Sequence, residues 1–249
     1  MESLRAQYLE VWVASQNVPL VRFADRVQSI AGTGLDLLGI PDREPPPALL
    51  DYLGAFDQIV SWYGSNRPEF RAALPHCRFL DPLPDERAGI HAADFYLLQV
   101  GQAVPPARAV PRIDCPRWDG GFAVIHPFSG SPKKNWPLER YQELARVLGA
   151  RLPVRWCAGP TEPLEGAVRI DNLFELACWL AGARLYIGND SGITHLAAAV
   201  ATPVVALFGP SDPAVWAPRG PHVRIVATQT PGEPMDRLSI EQVVAAVAL

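Results

Sequence analysis

Residues 184–208 read RLYIGNDSGITHLAAAVATPVVALF, in which a polar loop and a helix-forming stretch separate two apolar runs. The apolar runs, residues 184–187 and 204–208, have the length and composition of buried strands. Residues 193–200 between them are predicted as a helix, because alanine and leucine are strong helix formers. Short apolar strands that alternate with helices favour a parallel sheet with helices on both faces.

The same alternation extends over the rest of the chain and predicts an α/β fold. In the C-terminal half, further strands are expected at residues 122–125, 154–157 and 223–226, and helices at 138–148, 173–181 and 240–247. In the N-terminal half, strands are expected at residues 10–14, 26–30, 58–62 and 78–80, and helical segments at 3–8, 19–23, 48–53, 67–74 and 91–100.

Proline marks a boundary within the chain. The sequence has 26 prolines in 249 residues, and a group of four falls close together at positions 105, 106, 111 and 116. Proline stiffens the backbone and cannot pair inside a sheet, so residues 105–118 are predicted as a linker. Residues 1–104 and 119–249 are then two domains, a division that the length accommodates.

Charge, hydropathy and cysteine spacing exclude several classes of protein. With 22 Lys and Arg against 26 Asp and Glu, the net charge of −4 gives no basic footprint for nucleic acid. No apolar run approaches the roughly 18 residues of a membrane span, and no signal-peptide core is present. The four cysteines show no CxxC spacing, so the spacing suggests neither a zinc site nor a redox pair. We expect a cytoplasmic protein with reduced thiols and no metal site.

Three loops follow predicted strands, where ligands bind in sheets of this kind. The first, residues 126–137, contains Ser129, Gly130, Ser131 and Lys134 just before a predicted helix. Hydroxyl groups, an accessible backbone and an ammonium group suit a phosphate. A surface loop with ordinary lysines is the alternative interpretation.

The second loop, residues 188–195, reads GNDSGITH and opens a predicted helix. Asp190 or Ser191 can cap that helix, and its positive N-terminal end attracts a diphosphate. Gly192 allows a ligand to approach the backbone closely, and His195 lies one turn inside the helix. A well-capped helix without a ligand is the alternative.

The third loop, residues 208–213, reads FGPSDP and is a rigid turn. It forms either the wall of a pocket or a turn and nothing more. Glu162 follows another predicted strand, where its carboxylate can accept hydrogen bonds from a sugar hydroxyl. A solvated loop glutamate is the other interpretation.

Together these loops resemble glycosyltransferase family 9, the ADP-heptose:lipopolysaccharide heptosyltransferases. Four motifs carry the resemblance in chain order: HP…KNWP at residues 126–137, L…LAGA at 173–183, NDSG…HLAAA at 189–199 and FGPSDP…W at 208–216. The resemblance covers roughly residues 120–220, whereas residues 1–104 match only in general character.

This resemblance implies a GT-B-like architecture, in which two Rossmann-like domains face each other across a cleft. The C-terminal domain binds the donor and the N-terminal domain is on the acceptor side. The implied reaction is inverting, metal-independent transfer of a heptose or related sugar from an ADP-sugar to a lipopolysaccharide-core-type acceptor. The ADP-sugar is a substrate, so no cofactor is expected. The implied partners are this donor and a glycan or glycolipid acceptor, and peripheral contact with a membrane is compatible with that acceptor.

The resemblance also carries roles onto individual positions. Lys134 would neutralise the leaving diphosphate, and Ser129 and Gly130 would line the phosphate loop. The remaining positions would hold the donor's phosphates and sugar: Asp190, Ser191, Gly192 and His195. Ser131 and Glu162 are further candidates.

The N-terminus departs from the family pattern. Family members open with a strand and a Gly-Asp loop whose aspartate is thought to act as the general base. Residues 1–15 instead resemble the end of the first helix followed by the second strand, so the N-terminal domain is expected to be incomplete. Neither Asp25 nor Asp36 lies in such a loop, and the general base is unassigned. A catalytically impaired nucleotide-sugar-binding protein, or another GT-B enzyme such as a hexosyltransferase or a nucleotide-sugar epimerase, is the alternative.

Overall fold

The computed structural model describes residues 6–101 and 109–247. The chain packs as two compact units: one comprises Met1–Ala88 with Phe95–Ala103, and the other comprises Gly89–Asp94 with Val104–Leu249. Part of the predicted linker, residues 105–108, and part of the helix predicted at 3–8 lie outside the described residues. None of the helices in the described ranges is long and apolar enough to span a membrane.

The first unit contains two pairs of parallel strands with helices between them. Its elements are β1 (Glu10–Val13), β2 (Arg26–Ser29), α1 (Pro47–Gly54), β3 (Ile59–Ser61), α2 (Pro68–Ala73) and β4 (Cys77–Phe79), together with the part of α3 (Ala92–Gln99) from Phe95 onward. β1 pairs with β2 and β3 pairs with β4, and no ladder joins the two pairs within the described residues. The parallel pairing expected from the sequence is therefore present, as two separate two-stranded sheets.

Side chains from α1, α2 and the preceding loops form the core of this unit. Leu38 and Phe70 are each 1% exposed, and Leu49, Leu53 and Leu74 pack in the same cluster. The helical turn expected at residues 19–23 is found earlier in the chain, as a 3₁₀ helix over Ser15–Leu20. Residues 6–8 are not helical.

A buried carboxylate organises the β1–β2 pair. Glu10 has a side chain only 2% exposed. Its Oε1 accepts hydrogen bonds from Trp12 Nε1 at 2.6 Å and Gln28 Nε2 at 2.5 Å, and its Oε2 accepts one from Tyr52 at 2.7 Å. Burial raises the pKa of Glu10, but the hydrogen bonds outweigh it and hold that pKa below its ordinary value of 4.5.

The second unit is built on one five-stranded parallel sheet. Its strands are β5 (Ala123–His126), β6 (Val154–Trp156), β7 (Leu185–Asn189), β8 (Val204–Phe208) and β9 (Val223–Ala227). The strand order is β6-β5-β7-β8-β9, and every neighbouring pair is parallel. β7 and β8 are buried over their whole length. This is the pattern expected of central strands that are covered on both faces.

Five α-helices connect or follow these strands in the described part of the chain. They are α4 (Leu138–Gly149), α5 (Leu173–Leu180), α6 (Gly192–Ala199), α7 (Pro213–Trp216) and α8 (Ile240–Ala246). The core between helices and sheet includes Ile125, Tyr141, Leu144, Ile187 and Leu207. The parallel α/β architecture expected from the sequence is confirmed, although the sequence did not predict α7, whose first turn is capped by Asp212.

The start of α3 belongs to the second unit, together with residues 89–91. The ring Nε2 of His91 lies 2.9 Å from the carbonyl oxygen of Ala217. Arg219 donates two hydrogen bonds to the Asp94 carboxylate, at 2.7 and 2.6 Å. These contacts explain why residues 89–94 group with the later part of the chain, which the sequence pattern did not indicate.

We expect the stability of the first unit to fall when Glu10 loses its charge. Because its pKa is lowered in the folded state, its stabilising effect is present above pH 4.5 and is lost as the pH falls through the folded-state pKa. Glu10→Gln should cost roughly 1–3 kcal/mol at pH 7, since an amide NH₂ then faces neighbouring donors. Urea unfolding at several pH values measures both effects, with exposed Glu44→Gln as the control. Equal stability of the two variants would contradict the role of Glu10.

Candidate functional site

The strand order of the second unit locates the candidate site. From β5 the chain first adds β6 on one side and then crosses to add β7 on the other, so the order reverses between β5 and β7. Ligands of open parallel sheets bind outside the carboxyl ends of the strands at such a reversal. The loops that follow β5 and β7 carry the Ser129–Lys134 and Asp190–His195 candidates, and β5 and β7 are hydrogen-bonded neighbours. The structure thus brings the first two predicted loops to the same edge of the sheet.

Asn189 joins these two loops. Its side chain is fully buried at the end of β7. Its Oδ1 accepts hydrogen bonds from the backbone N–H of Trp136 at 3.0 Å and the hydroxyl of Tyr141 at 2.9 Å. Its Nδ2 donates to the carbonyl of Pro127 at 2.8 Å. One amide therefore fixes both ends of the loop after β5 against β7.

The loop after β5 is shaped by its own polar groups. The Ser129 hydroxyl lies 2.8 Å from the Ser131 carbonyl and 2.7 Å from Asn135 Oδ1, and it accepts a 3.4 Å hydrogen bond from the Ser131 N–H. Gly130 is exposed, and a Cβ at this position would meet nothing within 4 Å. The loop is thus held from within, and the open space at Gly130 leaves its backbone accessible.

Charged groups meet between the two loops at Asp190. Lys134 Nζ lies 2.9 Å from Asp190 Oδ2, which also accepts a 2.7 Å hydrogen bond from Ser211. His195 Nε2 lies 3.8 Å from the other carboxylate oxygen. Burial raises the pKa of Asp190, but interactions with His195, Ser211 and Lys134 outweigh it and lower the pKa to about 2. Asp190 is therefore ionised at neutral pH, and Lys134, with 30% of its side chain exposed, remains accessible from solvent.

Ser191 caps α6, one of the two caps that the sequence allowed. Its hydroxyl accepts a 3.4 Å hydrogen bond from the backbone N–H of Thr194. Thr194 is buried and donates through its own hydroxyl to the carbonyl of Asn189 at 2.5 Å. Beyond its chain neighbours and the backbone of its own helix, a Cβ placed at Gly192 would meet no described residue within 4 Å, and 43% of the His195 side chain is exposed. The first turn of α6 is thus firmly anchored to β7, while its outer side is open.

A histidine–carboxylate pair lies at the neighbouring strand ends. His126, the last residue of β5, is 3% exposed, and its Nε2 lies 3.0 Å from Glu162 Oε2. The same oxygen accepts a 2.6 Å hydrogen bond from the Gly159 N–H. Burial raises the pKa of Glu162, but the hydrogen bonds from His126 and Gly159 lower it below its ordinary value of 4.5. Glu162 is therefore held ionised and oriented, and a quarter of its side chain is exposed.

Three residues at this edge were not singled out as site residues from the sequence. Ser211, in the loop after β8, contacts Asp190 from 21 positions away, and His126 contacts Glu162 from 36 positions away. Asn189 was noted only as part of a motif. The position of Asn189 could have indicated its role. It ends a buried strand, and a buried amide needs hydrogen-bond partners.

Replacement of Asn189 should destabilise the second unit. Asn189→Ala leaves the Tyr141 hydroxyl, the Trp136 N–H and the Pro127 carbonyl buried without this partner. We expect a loss of roughly 2–4 kcal/mol in the free energy of unfolding, measured by urea denaturation. Asn189→Asp should also be destabilising, because a carboxylate cannot donate to Pro127. Exposed Asn66→Ala is the control, and an Asn189→Ala variant as stable as this control would refute the bridging role.

The chain is similar in sequence to known heptosyltransferases. Residues 107–244 match the family model of glycosyltransferase family 9 (heptosyltransferase). Lipopolysaccharide heptosyltransferase 2 of Salmonella typhimurium is 31% identical over 225 residues, which cover 72% of this chain and 61% of that protein. The chain spans between 33% and 61% of the lengths of the curated relatives it matches.

Solved structures show the same fold. A family 9 glycosyltransferase from Veillonella parvula matches with a TM-score of 0.69 at 17% identity, covering 96% of this chain and 86% of that one. An Escherichia coli heptosyltransferase, solved with ADP-2-deoxy-2-fluoro heptose, matches with a TM-score of 0.62 at 18% identity, covering 94% and 87% of the two chains. The fold is α/β with parallel sheets and is GT-B-like, as the sequence predicted. Because the family model covers more than half of the chain, this protein belongs to glycosyltransferase family 9.

Proposed function

We propose that this protein transfers a heptose from an ADP-heptose donor to a lipopolysaccharide-core-type acceptor, with inversion and without a metal ion. Family membership supports glycosyl transfer, and the names of the relatives direct the choice of sugar and acceptor. The donor is proposed to bind at the carboxyl edge of the β5–β9 sheet. All the residues proposed to bind it belong to the second unit.

The contact between Lys134 and Asp190 is the main structural support for this proposal. It places an accessible ammonium group between two loops whose glycines, Gly130 and Gly192, face open space. Negative charge builds on the departing diphosphate as the glycosidic bond breaks, and a fixed ammonium group stabilises that charge. Asp190 holds Lys134 in place before the donor binds. Lys134 would then turn toward the phosphates, while Ser211 and His195 remain beside the Asp190 carboxylate.

Backbone groups are proposed to complete the diphosphate site. The first N–H groups of a helix have no partner within the helix, and they attract anions together with the helix dipole. In α6 the Ser191 hydroxyl satisfies the Thr194 N–H, and the exposed backbone at Gly192 precedes it. Ser129 and Ser131 support the opposite loop through their mutual hydrogen bonds. Their role is therefore to shape the phosphate loop.

Glu162 is proposed to bind a hydroxyl group of the donor's sugar or ribose. Its Oε2 is occupied by His126 and Gly159, and its side chain is partly exposed. An ionised carboxylate accepts strong hydrogen bonds from hydroxyl groups. In this arrangement His126 does not contact the donor but orients the carboxylate that does.

Donor profiling tests the proposed reaction. The protein would be incubated with an acceptor of the lipopolysaccharide core and either ADP-heptose or a UDP-hexose, and the product would be identified by mass spectrometry. Heptose transfer above background supports the proposal. Calorimetric binding of ADP without transfer would instead identify a nucleotide-sugar-binding protein, and preference for the uridine nucleotide would indicate another GT-B activity.

Removal of the Lys134 ammonium should weaken nucleotide binding. We expect Lys134→Met to raise the Kd for ADP roughly 10- to 100-fold, the cost of one hydrogen bond to a charged group. The matched control is Lys133→Met, because Lys133 is adjacent and exposed but makes no contact with Asp190 among the described hydrogen bonds. Isothermal titration calorimetry measures both constants. Similar losses in the two variants would show that only general positive charge is involved.

Removal of His126 should change the pH dependence of nucleotide binding. Because His126 lowers the pKa of Glu162, His126→Leu should raise it, and the affinity for ADP-heptose should then begin to fall at a higher pH on acidification. His126→Gln retains a donor and should preserve more of the original profile. Calorimetry from pH 4 to pH 7, with melting curves to verify folding, measures the shift. Superimposable profiles of the two variants and the parent would exclude the orienting role.

A further inference from the structure

Two cysteines that are distant in sequence lie side by side in the second unit. Cys115 precedes β5 and Cys178 lies in α5, and their Sγ atoms are 2.8 Å apart. Both residues are partly buried, so neither is sealed from solvent. We propose that Cys115 and Cys178 form a reversible thiol–disulfide site, which reacts with small disulfides such as oxidised glutathione.

Hydrogen bonds hold the chain on both sides of Cys115. The Ile113 N–H donates to the Ala199 carbonyl at 2.9 Å. On the other side, the Trp118 indole N–H donates to the carbonyl of Cys178 itself at 3.1 Å. A disulfide needs an S–S distance of about 2.05 Å, so only a small adjustment of the two side chains closes the bond.

Gly182 allows this segment to approach α5. Its carbonyl accepts a 2.9 Å hydrogen bond from the Gly120 N–H. A Cβ at Gly182 would lie 2.2 Å from the Trp118 ring, so only glycine fits beneath the indole. The close approach of the two thiols is thus part of the packing of the segment and not an isolated side-chain contact.

The other two cysteines provide internal controls. Burial raises the pKa of Cys77 to about 11 and that of Cys157 to about 12. The thiolate is the reactive form, so both remain thiols at neutral pH and react slowly with disulfides. Oxidation is therefore expected to select the Cys115–Cys178 pair.

The reaction balances with the small disulfide as oxidant. One thiolate of the pair attacks glutathione disulfide, forms a mixed disulfide and releases one glutathione. The second thiolate then attacks the protein sulfur of that mixed disulfide and releases the second glutathione. The two protein thiols lose two electrons, and their two protons end on the two glutathione thiols. Excess reduced glutathione reverses both steps.

Mass spectrometry of the 249-residue chain tests the site. After equilibration with glutathione disulfide, the protein should lose about 2 Da, and peptide mapping should link Cys115 to Cys178. The link should persist in Cys77→Ser and disappear in Cys178→Ser. The oxidised protein should melt roughly 5–10 °C higher than the reduced protein, because the bond closes a long loop.

Peptide mapping of the unaltered protein identifies the linked cysteines even if a cysteine variant does not fold. Stable glutathione adducts without the internal link, or a link that involves Cys77 or Cys157, would overturn it. An unchanged mass after exposure to the oxidant would do the same. None of these outcomes depends on donor binding or sugar transfer, so the proposal stands apart from the proposed function.

Discussion

The side-chain amide of Asn189 is the interaction on which the candidate site depends. It lies where the strand order reverses, and its three hydrogen bonds join the end of β7 to the loop after β5 and to α4. The amide offers an acceptor and a donor on one side chain. Its carbonyl oxygen accepts from the Trp136 N–H and the Tyr141 hydroxyl, and its NH₂ group donates to the Pro127 carbonyl. Neither aspartate nor leucine provides that combination. Lys134 therefore reaches Asp190 because a neutral amide beneath them fixes the loop.

The adjacent residues Asn189 and Asp190 differ in charge and therefore in role. Asn189 is neutral and buried, whereas Asp190 is ionised, with its pKa lowered to about 2 by the groups around it. A carboxylate beside a proposed phosphate site is unfavourable by itself, since like charges repel. Its presence is understandable because it orients Lys134, Ser211 and His195, and Lys134 brings an accessible positive charge. The result is an accessible ammonium group, held by Asp190, at an edge whose loops are fixed by hydrogen bonds.

The sequence predicted what depends on local pattern and missed what depends on distant contacts. Apolar runs indicated the strands of the five-stranded sheet, and the loops after β5 and β7 were expected at its carboxyl edge. The structure brings Lys134 and Asp190 together at that edge. The Ser211–Asp190 and His126–Glu162 contacts join residues from different loops, so no spacing rule shows them. The cysteine pair illustrates the same limit, because CxxC spacing detects only cysteines that are neighbours in sequence. In the first unit, periodicity indicated the strands but not their division into two separate pairs.

The location of the site also separates two parts of the proposed chemistry. The second unit supplies the groups suited to a diphosphate and a sugar: an ammonium group, a helix N-terminus and an oriented carboxylate. Sugar transfer additionally needs a base to accept the proton of the acceptor hydroxyl. Asp190 and Glu162 are poor bases for that step, because both are held by hydrogen bonds that favour the ionised form and lower their basicity. Transfer therefore needs a base other than these two carboxylates.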